Sequence, residues 1–399
     1  METKKPRGTR DPMCITVGWL IAFLALHVST SEARAMSGVD CPSAYRPYSS
    51  NTVLMDLLIN PATHGILDRD LPDLLTGLPD LVTSTTPPSF SAIFDVRTVA
   101  DFKKMPLSTT TLATLDAELS ADPNTDAAAR ARCARYDDGA SGLPDRIPKP
   151  SVLVFSKVNG YRDVDAVNAA ATALRRMGAA KGWTMVFTEN GAAFNKADLA
   201  RFSVVVWNNV SGDVLTISQR DALRLYLEGG GGFAAFHGSG GDPRYDWDWY
   251  PDTLIGARFI GHPRSPQFQA ASVIIDDQSN WVTQGLPPQW TMTEEWYSFK
   301  SSARLGGAHV LARLDENTYD PTNGDTDLRM GDHPIAWTRC VGNGRSFYSA
   351  IGHRPESYGE PHAALLLERG IAWAAGEAPT GCLNGAEIAR TISGPAHAK

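Results

Sequence analysis

The chain has 399 residues, 43% hydrophobic and 20% charged, which is ordinary globular material with length for one large domain and a small one. Lys+Arg total 37 against Asp+Glu 44, a net charge of −7. That balance, with no long basic block beyond the first residues, excludes a nucleic-acid backbone as the main partner.

Lys4, Lys5, Arg7 and Arg10 precede an apolar run from Cys14 to Val28, and Ala33-Arg34-Ala35 has the small-x-small pattern of a cleavage site. Residues 1–35 therefore read as a signal peptide, with a secreted or periplasmic product starting near Met36 and no membrane contact after cleavage. The run is too short and interrupted for a comfortable span, and an uncleaved anchor is the alternative. Export leaves Cys41, Cys133, Cys340 and Cys382, an even count that suggests two disulfides in an oxidising compartment. Cys41 with Cys133 and Cys340 with Cys382 is the favoured pairing, because each pair falls within one expected domain; buried free thiols are the other reading.

Residues 36–138 read as a small all-helical domain. Apolar residues recur at helical spacing over Thr52–Leu58, Ile66–Leu78 and Leu112–Leu119, with Pro61 and Pro72 as first-turn or breaker residues. Residues 139–150, with three prolines and two glycines, read as a linker. From Ser151 the pattern alternates. Strands are expected at Val152–Phe155, Trp183–Thr188, Ser203–Trp207 and Phe233–Phe236, with helices at Asp165–Lys181, Lys196–Arg201 and Ser218–Glu228 between them. This order predicts an α/β fold with a mostly parallel sheet, right-handed crossovers and helices on both faces. Later strands are expected at Ser272–Asp276, His309–Leu314, Ile335–Cys340 and Arg345–Ala350, and a last helix at Pro361–Ala375. The α/β domain is placed at residues 151–378 and a tail at 379–399.

The stretch Gly229–Gly241 reads GGGGFAAFHGSGG: a short buried strand that stops at His237 among glycines. In a parallel sheet, residues just after the strands become neighbours at one edge. Topology thus gathers Lys157, Asn159, Gly160, Tyr161 and Arg162 after the first strand, Asn208 and Asn209 after the third, and His237 and Ser239 after the fourth. His353 follows the strand ending near Ala350. Six of the nine histidines fall between His237 and His362, and His237, His262 and His353 lie in glycine-containing loops. Those three with Glu295 could bind a divalent transition metal, since imidazole and carboxylate form a common ligand set, although the spacing carries no metal signature. Glu295, in Thr293-Glu294-Glu295-Trp296-Tyr297, is expected to be desolvated, with a raised pKa suited to acid–base work; the plainer alternative is a surface pair preceding a half-buried strand. Trp247 and Tyr250, in the aromatic loop Tyr245–Tyr250, suit either a sugar ring or a hydrophobic lid.

Two motifs fail on inspection. His237-Gly238-Ser239-Gly240-Gly241 nearly matches a nucleophile elbow, but Asp242-Pro243 follows where a helix must open. The four glycines precede their strand, opposite to a dinucleotide fingerprint.

Val154-Phe155-Ser156-Lys157, Asn159-Gly160-Tyr161-Arg162, the GGGGFAAFH run, Tyr245–Tyr250, Gly261-His262-Pro263, Glu294-Glu295-Trp296-Tyr297, Asp332–Trp337 and Gly352-His353 together resemble the trehalose-utilisation (ThuA-like) family, in order, over about Ser151 to Gly376. The resemblance implies a flavodoxin-like, class I glutamine-amidotransferase-like sheet and a carbohydrate substrate, trehalose-related or a 3-keto-glycoside. Many relatives carry His where this chain has Asp163. The amidotransferases place a nucleophilic Cys where this chain has His237, which excludes thiol-dependent glutamine hydrolysis. The functional expectation is hydrolysis or elimination on a sugar or glycoside, with His237 and Glu295 sharing proton transfer. His262 and His353 would orient substrate or, with His237, hold a metal, and Asn159, Tyr161, Asn208, Ser239, Trp247 and Tyr250 would contact substrate. A non-catalytic carbohydrate-binding module is the alternative.

Overall fold

The computed structural model describes residues 39–379 and 382; the expected signal peptide and nearly all of the expected tail lie outside them. Residues 40–379 fall within one compact unit. Its helical portion contains α1 (Leu54–Ile59), α2 (Pro61–Asp70), α3 (Asp80–Thr83), α4 (Val96–Phe102), α5 (Thr109–Ala121) and α6 (Asp126–Cys133). Pro61 takes the first position of α2, where a missing N–H costs nothing, and the Asn60 side chain accepts from the Ala62 N–H. The helix ends before Pro72, so the expected helix over Ile66–Leu78 starts earlier and stops sooner. Leu54, Leu57, Leu67, Val96, Leu115 and Leu119 form a core of their own. The segment is nevertheless fastened to the α/β layers: the Tyr136 hydroxyl donates to Asp213 (2.8 Å), Lys157 pairs with Asp137 (2.6 Å), and Leu143 and Ile147 of the expected linker pack on the α/β core.

The α/β portion runs β1 (Ser151–Phe155), α7 (Val164–Lys181), β2 (Thr184–Thr188), α8 (Lys196–Leu199), β3 (Val204–Asn208), α9 (Ile217–Glu228), β4 (Gly232–Phe236), β5 (Phe259–Gly261), β6 (Phe268–Ile275), β7 (Gln289–Glu295), β8 (Ser298–Phe299), β9 (His309–Asp315), β10 (Thr322–Asn323), β11 (Thr326–Asp327), β12 (Pro334–Val341), β13 (Gly344–Ser349) and α10 (Pro361–Ala374). Nine strands form one sheet in the order β2-β1-β3-β4-β13-β12-β9-β6-β7, and β5 with β8 and β10 with β11 form small separate pairs. The pairings from β2 to β13 are parallel and those beyond it antiparallel, so seven of the nine strands, all but β12 and β6, run in one direction.

Burial explains why the two halves read differently in sequence. Every residue of β1, β3 and β4 is buried, and alternate side chains point to opposite faces, so both faces of this half are covered. In β6 and β7 exposed and buried residues interleave, as on a sheet with one solvated face. Strand β7 decides against the plainer alternative for Glu294-Glu295, a surface pair. Glu294 and Glu295 do not precede a half-buried strand; they end one, and both are buried.

Helix ends follow their caps. Asp163 accepts from the Ala166 N–H at the start of α7, and Gly182 closes it with φ +68°. Thr216 and Gln219 form a reciprocal capping box on α9. Disulfides join Cys41 to Cys133 and Cys340 to Cys382, the favoured pairing. They fit an oxidising environment. No helix of the described residues is long and apolar enough to cross a membrane.

Candidate functional site

Strand β4 ends at Phe236, and His237 follows with φ +35°, a region that residues with a Cβ rarely adopt. Neighbouring glycines make the turn possible. A Cβ on Gly240 would fall 2.5 Å from the Tyr348 hydroxyl and one on Gly241 2.6 Å from the Tyr297 ring. Through that gap Tyr348 donates to the His237 carbonyl (2.9 Å), and the Tyr297 ring lies 4.0 Å from the imidazole, centroid to centroid. The Asn209 side chain also accepts from the Gly238 N–H (3.1 Å).

The His237 ring is buried, and its Nδ1 lies 2.8 Å from the carbonyl oxygen of Ala350. A carbonyl only accepts, so Nδ1 carries the proton and Nε2 of the neutral ring presents a lone pair. That lone pair faces Glu295 Oε2 at 3.2 Å and His353 Nδ1 at 3.2 Å, and Oε2 and His353 Nδ1 are 3.0 Å apart. The other nitrogen of His353 lies 3.3 Å from Asp163 Oδ2. His237 Nε2, Glu295 Oε2 and His353 Nδ1, from distant parts of the chain, form a near-equilateral triangle: with the His353 proton turned to Asp163 all three present lone pairs, and with that ring doubly protonated Nδ1–H donates to Glu295. Such a triangle calls for positive charge at its centre.

The second oxygen of the carboxylate is occupied differently. Gln267 donates to Glu295 Oε1, and His262 Nδ1 lies 3.2 Å from it. Burial alone would raise the Glu295 carboxyl, but the hydrogen bonds that His237 and His353 donate to it when their rings are protonated, with the charge those rings and His262 then carry, outweigh it and hold the group well below the carboxylate range. This corrects the expected raised pKa: the aromatic neighbours desolvate Glu295, yet imidazoles brought from far along the chain decide the sign. Burial also works against charge on His353, but Glu295 and then Asp163 overcome it and raise that ring. His262 goes the other way, lowered chiefly by burial, with its Nδ1–H donated to the Pro263 carbonyl (2.8 Å). Its Nε2 has no hydrogen-bond partner among the described residues.

A divalent ion fits the triangle. Ligand bonds of about 2.0–2.2 Å place neighbouring ligand atoms roughly 3–3.5 Å apart, and two imidazoles with one carboxylate are a common set for such ions. His237, Glu295 and His353 are the group of potential ligands that the described residues bring together. His262 is not part of it: its proton-bearing Nδ1 faces the far carboxylate oxygen, so the expected three-histidine set becomes two histidines and Glu295. The outer partners also suit metal ligands, which usually give their second ring N–H to a carbonyl or carboxylate.

The family model described as ThuA, trehalose utilisation, matches residues 151–374. The chain belongs to the ThuA family. The sheet resembles the crystal structure of a ThuA-like protein from Bacteroides uniformis, at 24% identity and TM-score 0.51 over 61% of this chain and 98% of that one. A ThuA-like protein from Parabacteroides merdae matches at 16% identity and TM-score 0.45, over 58% of this chain and 92% of that one. The first of these likenesses concerns the fold alone. No curated protein matches the chain.

Other anticipated contacts in this ThuA-family chain are placed elsewhere. The Asn159 side chain donates to the Asp213 carbonyl, and Asn208 donates to Ser156 and the Val167 carbonyl while accepting from Asn209. Both are buried and internally bonded, so they brace loops instead of meeting hydroxyls. Ser239 donates to the Trp207 carbonyl and accepts from the Val210 N–H. Ser239, Trp247 and Tyr250 line a separate cleft against Val53 and Ile93, whose lining includes none of the three triangle residues. The aromatic loop folds inward there, with Tyr250 stacked on Trp207 at 4.8 Å and its hydroxyl donated to the Ser239 carbonyl. Lys157 and Arg162 are tied to Asp137 and Glu189. Tyr161 stands at the rim of the histidine site, 38% exposed, and half-burial followed by the charges of Asp163 and Glu295 raises its hydroxyl.

Sequence reasoning missed Asp163, Gln267 and Tyr297 as parts of the site. Asp163 had one readable signal, a helix cap two residues after Tyr161, and its second oxygen is the one that faces His353. Glu294 was seen only as a neighbour of Glu295. It accepts from the Gly352 and Arg354 N–H groups and from Ser357, and so pins the loop that carries His353 to the end of β7.

Proposed function

We propose that this protein processes a sugar or glycoside, by hydrolysis or elimination, at the Glu295 cluster, and that it does so after export. The observation that carries the reading is the convergence of His237 Nε2, His353 Nδ1 and Glu295 Oε2 at the carboxyl edge of the sheet, an arrangement that is costly unless it binds positive charge. The family model's description, trehalose utilisation, supports a trehalose-related substrate, and we extend that class to 3-keto-glycosides. A bound divalent ion would polarise a substrate carbonyl or hydroxyl oxygen and acidify a bound water.

The chain's own groups supply the rest. Glu295 stays anionic through the working pH range, which makes it a poor proton donor, so its anticipated share in proton transfer passes to His262. That ring is held neutral by burial, and its Nε2 is available to take a proton from water or from a carbon beside a carbonyl. His237, fixed by Ala350 and covered by Tyr297, orients instead of shuttling protons. The test is turnover of plain and 3-keto disaccharides, with and without Zn2+. Wild type should convert at least one, and His262→Ala should lower the rate by about 100-fold or more. Failure to convert any of them in any condition would sink the proposal.

A further inference from the structure

We propose that the helical segment and the first loop of the α/β portion together build a ring-binding subsite at the mouth of the cluster, which takes the second sugar ring of a disaccharide-like glycoside. This rests on the function proposed above and adds where the rest of the substrate lies. Among the described residues nine large apolar side chains are exposed, and four of them, Tyr161, Val164, Ile260 and Phe268, sit on the segments that carry Asp163, His262 and the approach to His353. An exposed apolar patch rimmed by polar residues is one mark of a ligand-binding groove.

Two of them have the geometry of a stacking site. The Tyr161 ring lies flat on Phe90 of the helical segment, 4.9 Å between centroids and 8° between planes. Tyr161 is 38% exposed, and its hydroxyl has no hydrogen-bond partner among the described residues. Phe268, 40% exposed, meets the His353 ring edge-on at 5.1 Å. A flat apolar face with a free polar tip suits a pyranose, which offers C–H groups on its faces and hydroxyls at its edge.

The platform is anchored from the helical side. The Ser89 N–H donates to the Asn159 carbonyl (3.1 Å), and Gly160 packs so closely that a Cβ there would fall 2.8 Å from Ile93. Phe90 is thereby held behind Tyr161. The helical segment, which the ThuA match does not cover, thus acquires a role: it backs the substrate platform.

Calorimetric titration of the full chain with trehalose and glucose, and in parallel with their 3-keto forms, tests this. Wild type should bind the disaccharide of at least one pair about tenfold tighter than its monosaccharide. Tyr161→Ala and Phe268→Ala should bring that ratio toward one at an unchanged melting temperature, Phe90→Ala should lower it partway, and Tyr161→Phe should keep most of it. Equal wild-type affinity within both pairs, or variants that keep the full ratio, would overturn the subsite alone. Wild-type protein that binds no sugar at all would overturn the proposed function along with it.

Discussion

Asp56 in the helical segment and Glu295 at the sheet edge are both buried carboxylates, yet their surroundings are opposite in kind. Asp56 meets two guanidinium groups, Arg132 at 3.1 Å and Arg135 at 2.5 Å, and Arg132 also donates to the Arg46 carbonyl (2.8 Å) and lies over the Tyr48 ring. There donors face acceptors. Around Glu295 Oε2 the neighbours are imidazole nitrogens, at least one of which presents a lone pair. The contrast teaches that burial of charge does not itself mark a functional site: the cluster whose donors and acceptors already match holds the fold, and the one around Glu295 is left needing a cation or proton at its centre.

Removing one partner from the complete cluster should have the largest effect on stability. Asp56→Ala strands two buried guanidinium groups and should cost about 3–5 kcal/mol in urea unfolding. Turnover per folded molecule should stay at the wild-type value, because no atom of that cluster reaches the sheet edge. A loss below about 1 kcal/mol would show that water already compensates those charges, and the contrast with Glu295 would lose its force.

Asp242 sharpens the comparison as a buried carboxyl with only neutral donors. It accepts from Ser211 (2.6 Å) and from the Gly212 N–H (2.6 Å), and burial, outweighing those bonds, pushes it up to about 7. A folded-state value above the unfolded one means that this group's contribution is fully present below about pH 4 and is lost as pH rises through about 7. Stability should therefore fall by about 2–4 kcal/mol across that window on account of Asp242. Asp242→Asn should flatten that part of the profile in urea titrations from pH 4 to 8; an identical slope in the variant would contradict it.

Much of this is legible in the sequence alone. The short apolar runs of β1, β3 and β4 announce a covered parallel sheet, and sheet topology alone brings His237 and His353 to one edge. Strand β7 was harder, because its buried–exposed alternation ends in two carboxylates that look like surface residues. The protonation of Glu295 was illegible for a related reason: its sign depends on imidazoles 58 positions away in either direction. Trp247 and Tyr250 stayed open in sequence between a ligand face and a lid, because aromatic side chains serve a core as readily as a ligand; the stack of Tyr250 on Trp207 and its bond to the Ser239 carbonyl place that one ring in the core. Asn159 and Asn208 stand where polar residues should meet substrate, but loops without regular pairing need internal donors as well.

Asp163 belongs to both kinds of region at once, which makes it the finest test of the contrast. One of its oxygens caps α7 through the Ala166 N–H (3.0 Å), and the other lies 3.3 Å from His353 Nε2. Asparagine caps helices as well as aspartate does, so Asp163→Asn should leave the unfolding midpoint nearly unchanged. What it removes is the negative charge behind His353, and losing such an outer partner typically weakens metal binding by about 10–100-fold. The variant keeps an acceptor near the ring, which places the expected loss near the lower end, about tenfold for Zn2+ measured by competition with a chelator. Unchanged Zn2+ affinity together with unchanged stability would leave Asp163 as a helix cap and nothing more.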